Sequence, residues 1–241
     1  LNLHDGGVYF DGTVGGGGHS REILRRTAPG GRLIATDLDD DAIAAAERNL
    51  AGFAGRYRIH KSNFKGYASV LEEEGVDELD GVLLDFGVSS FQLDEASRGF
   101  SYMQDAPLDM RMDAGAGLTA ADVVNGYSRE QLSRSLRDYG EERCANRIAE
   151  NIVRVRADRK IERTGELAQI AEESIPAKFR HNGPCARKTF QAIRIEVNGE
   201  LSGLAEAGRG LTRRLRRGGR SWSRPVHSVE VRVVESVVRE R

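Results

Sequence analysis

The sequence predicts an α/β fold in which helices cover both faces of a mostly parallel sheet, with a helical domain inserted into that core. Over the first 115 residues, short apolar runs alternate with amphipathic stretches of helical periodicity. From about Leu118 the helical periodicity continues to about residue 175, without strand-like runs of comparable strength. The first pattern is typical of a parallel sheet with crossover helices, and the second of a helical insertion.

Four short apolar runs are predicted as strands: 8–10, 33–35, 57–59 and 82–84. The clearest helix between them extends from Asp41 to Leu50, and Asp39 and Asp40 are its N-cap candidates. A strand–helix–strand order at this spacing implies right-handed crossovers and therefore parallel strands. Helices on both faces explain why these runs are apolar throughout.

The helical segment is expected to lie inside the α/β core, because strand signals resume after it. A Gly183-Pro184 turn precedes a helix that starts near Thr189, and the sheet is expected to continue after Gly218-Gly219. The apolar stripe of that helix comprises Phe190, Ile193, Val197 and Leu201. The predicted boundaries are 1–115 for the first part of the core, 116–186 for the inserted domain and 187–241 for the second part of the core.

Composition disfavours several classes of protein. Apolar residues make up 39% of the 241 residues, and no run of eighteen apolar residues or charged-then-apolar leader occurs, so we expect neither membrane spans nor a secretion signal. Cys144 and Cys185 lie in no metal-binding pattern, so we expect no disulfide framework, no metal and a reducing, cytoplasmic compartment. Because Leu1 stands in place of an initiator Met, we expect the chain to be a fragment.

The net charge of −1 is distributed unevenly along the chain. Residues 1–117 have a balance of −9 and the remaining residues one of +8, which is a weak indication of a polyanionic partner. On a helical wheel, Arg143, Arg147 and Arg154 fall within roughly 40° of one another. Two interpretations stay open for this arginine stripe: a solvated helix face, or a face that contacts phosphates.

The densest chemical signal is the run Phe-Asp-Gly-Thr-Val-Gly-Gly-Gly-Gly-His-Ser at residues 10–20. Glycines directly after a first strand let the backbone approach a ligand, and the following helix offers its N-terminal N–H groups. Asp37 lies nineteen residues beyond Gly18, at the end of the second predicted strand, where a carboxylate can accept hydrogen bonds from ribose hydroxyls. Together they indicate an adenosine-containing cofactor. The G-x-G-x-x-G spacing of dinucleotide enzymes fits only by choosing among consecutive glycines, and the broad loop with His19 favours a cofactor without phosphate.

The ends of the third and fourth predicted strands add candidates for the same site. Phe64 follows the third strand, where an aromatic ring can cover an adenine face or belong to the core. Ligands of open parallel sheets bind at the carboxyl ends of the strands, so Asp85 is expected to face the same crevice as Asp11 and Asp37. Unpaired burial of a carboxylate costs several kcal/mol, which disfavours three core carboxylates there.

Longer motifs carry a resemblance to a known family. They are Asp11-Gly12-Thr13 with Gly17-Gly18-His19-Ser20, Leu84 to Ser90 (LDFGVSS) with Gln92-Leu93-Asp94, Arg98 to Ser101 (RGFS), Pro107 to Asp113 (PLDMRMD), Tyr139 to Arg143 (YGEER), and Thr189 to Arg194 (TFQAIR) with Val197-Asn198. On these motifs, residues 6–206 resemble the bacterial small-subunit (16S) ribosomal RNA cytosine-N4 methyltransferases, which depend on S-adenosylmethionine. The resemblance implies a Rossmann-like class I methyltransferase core whose helical insertion, 116–186, recognises the RNA.

Carried over position by position, the resemblance also implies site residues. The cofactor contacts fall on Gly17, Gly18, His19, Asp37, Phe64, Asp85 and Gln92. The implied substrate is a cytidine in the decoding region of 16S ribosomal RNA, in the small ribosomal subunit. Residues 221–231 depart from the family, with Pro225, which lacks an N–H, and Val231 in place of an acid, and the chain ends at Arg241, before the family's usual end. We therefore expect this departure to affect the closure of the sheet and its stability more than cofactor binding.

The expected reaction is an in-line displacement from a sulfonium to the exocyclic amine of cytosine. That nitrogen is a poor nucleophile because its lone pair is delocalised into the ring, so the protein must hold it close and accept its hydrogen bonds. The candidates for this catalytic role are Asp109, Ser89 and Asn198, each of which could also be a turn, cap or helix residue. The candidates for RNA phosphates are Arg98, Arg111, Arg143, Arg147 and Arg154, and those for stacking on a flipped base are Phe86, Phe100 and Tyr102.

Three other functions stay open from the sequence. An NAD-dependent oxidoreductase could use the same glycine loop and Asp37, although no acid/base constellation near a hydride acceptor is evident. The atypical stretch 221–231 suggests a catalytically impaired relic that binds cofactor or RNA without turnover. An amino-directed DNA methyltransferase is disfavoured, because Asp-Phe-Gly-Val at residues 85–88 stands where such enzymes carry an Asn/Asp-Pro-Pro-aromatic segment.

Overall fold

A computed structural model describes residues 1–89, 92–93, 95–115, 117–177, 186–225 and 227–239. The chain divides into two compact units, Leu1–Phe91 with Leu201–Arg241, and Gln92–Glu200. The first unit contains the sheet, and the second is mainly helical. These limits differ from the boundaries predicted at 115/116 and 186/187, and the RNA-recognition role of the insertion stays a prediction. Parts of the predicted features lie outside the described residues, namely the Gly183-Pro184 turn, Cys185, Ser90 and Asp94.

Within the described residues, the first unit is built on a five-stranded parallel sheet in the order β3-β2-β1-β4-β5. Its strands are β1 (Val8–Asp11), β2 (Arg32–Asp37), β3 (Tyr57–Lys61), β4 (Leu79–Asp85) and β5 (Leu215–Arg224). The four predicted strands and their parallel arrangement are confirmed. Because the strand order reverses on the two sides of β1, the carboxyl ends of β1, β2 and β4 border one crevice.

Helices pack against both faces of this sheet. Those of the first unit are α1 (Gly18–Arg26), α2 (Asp40–Leu50), α3 (Tyr67–Glu73), α9 (Leu204–Arg213) and α10 (Ser228–Arg239). On one face, Tyr9 belongs to a buried cluster with Leu24 of α1 and Leu50 of α2. On the other face, Phe10 belongs to a cluster with Leu71 of α3. Neighbouring residues of β1 thus enter opposite cores, since side chains alternate along a strand. The predicted α/β class is confirmed.

The residues that follow β2 fix the start of the next helix. Asp39 precedes α2, and its carboxylate accepts a hydrogen bond from the N–H of Asp41 at 3.1 Å. This bond satisfies one of the N–H groups that a helix leaves unpaired at its start. The predicted N-cap at Asp39 is confirmed, and Asp40 is the first helical residue. The end of β2, including Asp37, is held in place by this capped turn.

β5 contains the first part of the stretch that departs from the family. Its register against β4 shifts between Leu79 and Gly81, whereas Ser221 to Arg224 pair regularly with β4. Pro225 follows the last strand residue, so its missing N–H removes no ladder bond within β5. Residues 221–224 thus form a regularly paired part of the described sheet, and the effect of this departure on stability stays a prediction. Polar residues are tolerated there because β5 is an outer strand of the described sheet, and an outer strand need not bury both faces.

The second unit contains α4 (Ala120–Gly126), α5 (Arg129–Asp138), α6 (Ala145–Asp158), α7 (Thr164–Ser174) and α8 (Arg187–Asn198). Capping boxes at Thr119 and Ser128 start α4 and α5. Gly199 ends α8 in the left-handed conformation, so Leu201 lies beyond the helix and not on its predicted apolar stripe. Across the described ranges, no helix is both long and apolar enough to cross a membrane.

Candidate cofactor site

The glycine loop between β1 and α1 follows a path that side chains would block. A Cβ on Gly12 would lie 2.4 Å from Leu84 Cδ2 and 2.7 Å from Phe64 Cβ, so this position accepts glycine alone. Gly17 has a φ of +80°, which is left-handed and favours glycine. At Gly18, by contrast, a Cβ would meet nothing within 4 Å. The backbone is therefore open to a ligand where α1 begins.

Asp11, at the end of β1, ties this loop to the helix that follows. Its carboxylate accepts hydrogen bonds from the N–H of Thr13 at 3.1 Å and from Ser20 Oγ at 2.6 Å. The side chain is buried, and desolvation raises the pKa of Asp11 to about 6 despite these two bonds. The hydrogen bonds to Asp11 therefore stabilise the conformation of the loop, and the charge of Asp11 makes this part of the site negative at neutral pH.

Asp37, at the end of β2, holds the other side of the loop. Its Oδ2 accepts the N–H of Gly15 at 2.8 Å, and its Oδ1 accepts those of Leu38 at 2.8 Å and Asp39 at 3.0 Å. Desolvation raises the pKa of Asp37, and the three backbone N–H bonds oppose that shift. A carboxylate has about four acceptor positions, so these bonds leave capacity for a ligand hydroxyl.

Asp85, at the end of β4, meets the same loop from the opposite side. The N–H of Asp85 donates to Thr13 Oγ1 at 2.7 Å, and its carboxylate lies 3.4 Å from His19 Nε2. Arg224, the last residue of β5, donates Nε and Nη2 to the two carboxylate oxygens of Asp85, each at 2.7 Å. The ends of β1, β2 and β4 thus bring three carboxylates to one glycine loop, as predicted from their positions in the sequence.

The side chain of Phe64 adjoins the loop at Gly12 and contacts a second aromatic ring. Phe64 follows β3 in a short helical turn that the side chain of Asn63 caps by accepting the N–H of Lys65. The ring of Phe64 lies 5.8 Å from that of Phe86, with an angle of 58° between the planes. Both rings are partly buried and pack against an apolar core cluster. Phe64 therefore makes the predicted core contact, and its role against an adenine stays a prediction.

Three residues are candidates for accepting hydrogen bonds from the target amine. Of these, Ser89 lies in the first unit. A Cβ on Gly15 would be 3.9 Å from the Cβ of Ser89, so this serine adjoins the glycine loop. Ser89 is partly buried. The structure therefore places Ser89 beside the glycine loop, and its role towards the amine stays a prediction.

Asp109 and Arg111, in the second unit, form a close ion pair. Arg111 donates Nε to Asp109 Oδ1 at 3.0 Å and Nη2 to Oδ2 at 2.7 Å. Desolvation would raise the pKa of Asp109, but the hydrogen bonds from Arg111 outweigh it and lower that pKa. A carboxylate of lowered pKa is a weak proton acceptor, so Asp109 is better suited to accept a hydrogen bond than to remove a proton.

Asn198 and Arg98 fasten the loop around Met110. The Asn198 amide accepts the N–H of Met112 at 2.8 Å and donates to the carbonyl of Met110 at 2.8 Å. Arg98 donates Nη2 to the carbonyls of Arg111 and Met112 at 2.9 and 3.0 Å. Met110 itself has a φ of +61°, a strained conformation that needs such support. Asn198 and Arg98 therefore act on the shape of this loop.

The remaining predicted residues also lie in the second unit. Gln92 is buried there. Arg147 and Arg154 are exposed on α6, seven positions apart and hence on one face of the helix. Arg143 is exposed but precedes α6, because Cys144 is the N-cap, so the predicted three-arginine helix stripe is wrong at this position.

The sequence matches the family described as MraW methylases over residues 1–241. The chain belongs to the MraW methylase family. Two relatives from this family are similar over nearly the whole chain. A protein of Clostridium botulinum (strain Kyoto / Type A2), named ribosomal RNA small subunit methyltransferase H, is 49% identical over 240 residues, which are 100% of this chain and 77% of the relative. A protein of the same name from Symbiobacterium thermophilum is 52% identical over 236 residues, 98% of this chain and 74% of the relative.

Among solved structures, a SAM-dependent O-methyltransferase from Thermotoga maritima matches a shorter stretch. It is 26% identical, covers 36% of this chain and 31% of its own, and has a TM-score of 0.30. The assignment to the MraW family rests on the sequence matches.

Several residues that contact the glycine loop of the candidate site were not identified from the sequence. Thr36 Oγ1 donates to the carbonyl of Gly12 at 3.0 Å, and Asn49 donates Nδ2 to that of Gly16 at 2.7 Å. Thr36 lies near the end of β2 and Asn49 in α2, and both stabilise the loop. The residues around them in the sequence do not predict these contacts. Arg224 was missed because it lies in the stretch that departs from the family. In the parts of the chain that the structure describes, no cluster of His, Cys, Asp and Glu could hold a metal ion.

Proposed function

We propose that the chain transfers a methyl group from S-adenosylmethionine to the exocyclic N4 of a cytidine in the 16S ribosomal RNA of the small subunit. The match to the MraW methylase family over residues 1–241 carries this proposal. Relatives about half identical to the chain are named ribosomal RNA small subunit methyltransferase H. A ribosomal RNA substrate and the presence of two cysteines, without a disulfide pattern, support action in the cytoplasm.

The charges at the glycine loop support a cofactor that carries a positive centre. Asp11, Asp37 and Asp85 all contact this loop or its flanks. A pyrophosphate would bring two negative charges towards these carboxylates, which is unfavourable at the low effective dielectric of a partly buried site. The sulfonium of S-adenosylmethionine is positive, and its ribose hydroxyls can donate to carboxylates. The sequence matches give no support to an NAD-dependent oxidoreductase.

The proposed cofactor contacts divide by chemistry. Asp37 accepts hydrogen bonds from the ribose hydroxyls, and Phe64 covers the adenine with its open face. The N–H groups of Gly18 and His19 adjoin the amino-acid end, because the first N–H groups of a helix have no partner within it, and Gly17 supplies the left-handed turn that places them there. Asp85 faces the positive groups of that end. Gln92 is assigned by the family resemblance.

When bound, S-adenosylmethionine supplies an electrophilic methyl group, and the protein's task is to present the amine. The amine must lie in line with that methyl group at near-attack distance, and its hydrogen bonds must be accepted as it pyramidalises. We assign the acceptor role to Ser89 or to Asp109, whose side chains carry suitable oxygen atoms. Asn198 is a positioning residue, because its amide is engaged with the backbone of Met110 and Met112. The proton is lost after the nitrogen has been methylated and become acidic, so a strong base is not needed.

Contacts to RNA are assigned to the second unit. Arg143, Arg147 and Arg154 are exposed, and their guanidinium groups can donate two parallel hydrogen bonds to a phosphate. Arg98 and Arg111 hold the loop that carries Asp109 and can reach RNA only with their remaining donors. The target cytidine must leave its stack, at a cost of a few kcal/mol, and an aromatic ring of the protein can compensate part of that cost.

The decisive experiment uses small ribosomal subunits from cells that lack this modification. The subunits are incubated with the chain and methyl-labelled S-adenosylmethionine, and the RNA is digested to nucleosides for mass spectrometry. We expect label on N4 of cytidine. Label on another atom would contradict the proposed acceptor. Binding of S-adenosylmethionine and subunits without any label would instead favour a relic without turnover.

A further inference from the structure

Two residues of β5 contact the proposed cofactor site from the edge of the sheet. Arg224 pairs in register with Asp85, and its guanidinium binds both oxygens of that carboxylate at 2.7 Å. Trp222 lies two positions earlier, on the same face of the strand, and its ring is 5.8 Å from the ring of His19. Asp85 and His19 are both proposed to contact the cofactor, so β5 adjoins two of its contacts.

The two members of the ion pair differ in exposure. The Asp85 side chain is 18% exposed, whereas that of Arg224 is 61% exposed. Arg224 therefore approaches the carboxylate from the solvent side and can move away at modest cost, because an exposed arginine keeps its hydration. While it stays, its positive charge offsets the negative charge of the Asp85 carboxylate.

We propose that Arg224 is a specificity-determining residue: its positive charge on Asp85 reduces the preference of the site for the positively charged S-adenosylmethionine over the neutral thioether product. This inference rests on the proposed function. The two ligands share their adenosine, ammonium and carboxylate groups and differ by the methyl group and the charge on sulfur. Their affinity ratio therefore reports the local electrostatic potential, whereas contacts common to both ligands cancel from it.

The expected size follows from the charge that is removed. By Coulomb's law, a unit charge roughly 7 Å from any cation, at an effective dielectric constant of roughly 40, changes the affinity for that cation by roughly 3- to 10-fold. Neutralising Arg224 leaves Asp85 as an uncompensated negative charge, which favours the sulfonium. The affinity for S-adenosylmethionine should therefore rise relative to that for S-adenosylhomocysteine, which would weaken product inhibition.

The test is isothermal titration of both ligands into the wild-type chain and three variants. Arg224→Gln removes the charge and keeps a side chain that can donate one hydrogen bond to Asp85. Arg224→Lys keeps the charge and loses the paired geometry. Arg220→Ala is the matched control, because it removes the same charge from the same strand, four positions away, which is roughly 13 Å.

We expect Arg224→Gln to shift the affinity ratio by roughly 3- to 10-fold towards S-adenosylmethionine, and Arg224→Lys and Arg220→Ala to shift it less than about 2-fold. A Gln variant that weakens or strengthens both ligands equally would overturn the proposal, since a merely structural role moves both together. An equal shift from Arg220→Ala would also overturn it in favour of a net-charge effect. A wild-type chain that binds neither ligand would refute the proposed function itself, which is a different result.

Discussion

At the end of β1, burial raises the pKa of the Asp11 carboxyl from 3.8 to about 6, which makes the stability of the protein depend on pH. Above pH 6 the carboxyl is ionised in both the folded and the unfolded state, and the folded state bears the cost of the buried charge. As the pH falls towards 4, the folded state takes up the proton before the unfolded state does. The folded state is therefore stabilised on acidification, and this contribution is lost as the pH rises through 6.

The magnitude follows from the shift of about two pKa units, which corresponds to about 3 kcal/mol of unfolding free energy. Asp11→Asn removes the titrating group and keeps an oxygen that can accept from Thr13. The unfolding free energy of the wild type minus that of Asp11→Asn should therefore be up to about 3 kcal/mol larger at pH 4 than at pH 7. Urea denaturation of both proteins at a series of pH values measures this difference.

Ser20 provides a second variant for the same reasoning. Its hydroxyl donates to Asp11, and that bond lowers the pKa of the carboxyl. Ser20→Ala should therefore raise the pKa further and destabilise the protein more at pH 7 than at pH 4. If the unfolding free energies of the wild type and Asp11→Asn change in parallel from pH 4 to pH 7, the burial argument for Asp11 is refuted.

Four further variants probe the loop, the adenine contact and the arginine face. Gly17→Ala should cost about 1–2 kcal/mol of stability, because a φ of +80° strains any residue with a Cβ. Gly18→Ala should be neutral or stabilising, because a Cβ there meets nothing within 4 Å and alanine favours a helix. Thermal melts compare the stabilities of the two variants. Phe64→Leu should weaken S-adenosylmethionine binding by roughly 2- to 10-fold in a titration, and an unchanged affinity would remove the ring from the site. Arg147→Ala with Arg154→Ala should reduce the slope of log affinity for ribosomal RNA against log salt by about 1.5; an unchanged slope would leave these arginines as a solvated face.

The core of the fold was predictable because its signals are local. Val8 to Phe10 and the other three runs are apolar on both faces, which identifies buried parallel strands without knowledge of their partners. The spacing from the glycine loop to Asp37 then predicts that both lie at one edge of the sheet, and the hydrogen bond from Gly15 to Asp37 is consistent with this. These predictions hold because strand order and side-chain alternation follow from general geometry.

The features that could not be predicted from the sequence depend on where helices and strands begin and end, or on contacts between residues far apart in the chain. Arg143 fits a helical wheel with Arg147, but α6 starts at Ala145, so the wheel does not apply to it. The run at 221–224 lacks the apolar continuity of a central strand, yet it pairs regularly with β4, because the outer position of β5 in the described sheet tolerates polar residues. The pairing of Arg224 with Asp85 joins residues 139 positions apart, and no local pattern announces it.

The shared site at the ends of β1, β2 and β4 is tested most directly by titrating S-adenosylmethionine into the wild type and Asp37→Asn. Asn keeps the size of the side chain but loses the charge and one acceptor for the ribose, so the dissociation constant should rise roughly 10- to 100-fold. Asp40→Asn, an exposed neighbour in the first turn of α2, should bind like the wild type. Equal affinity of Asp37→Asn and wild type would contradict the account of this site.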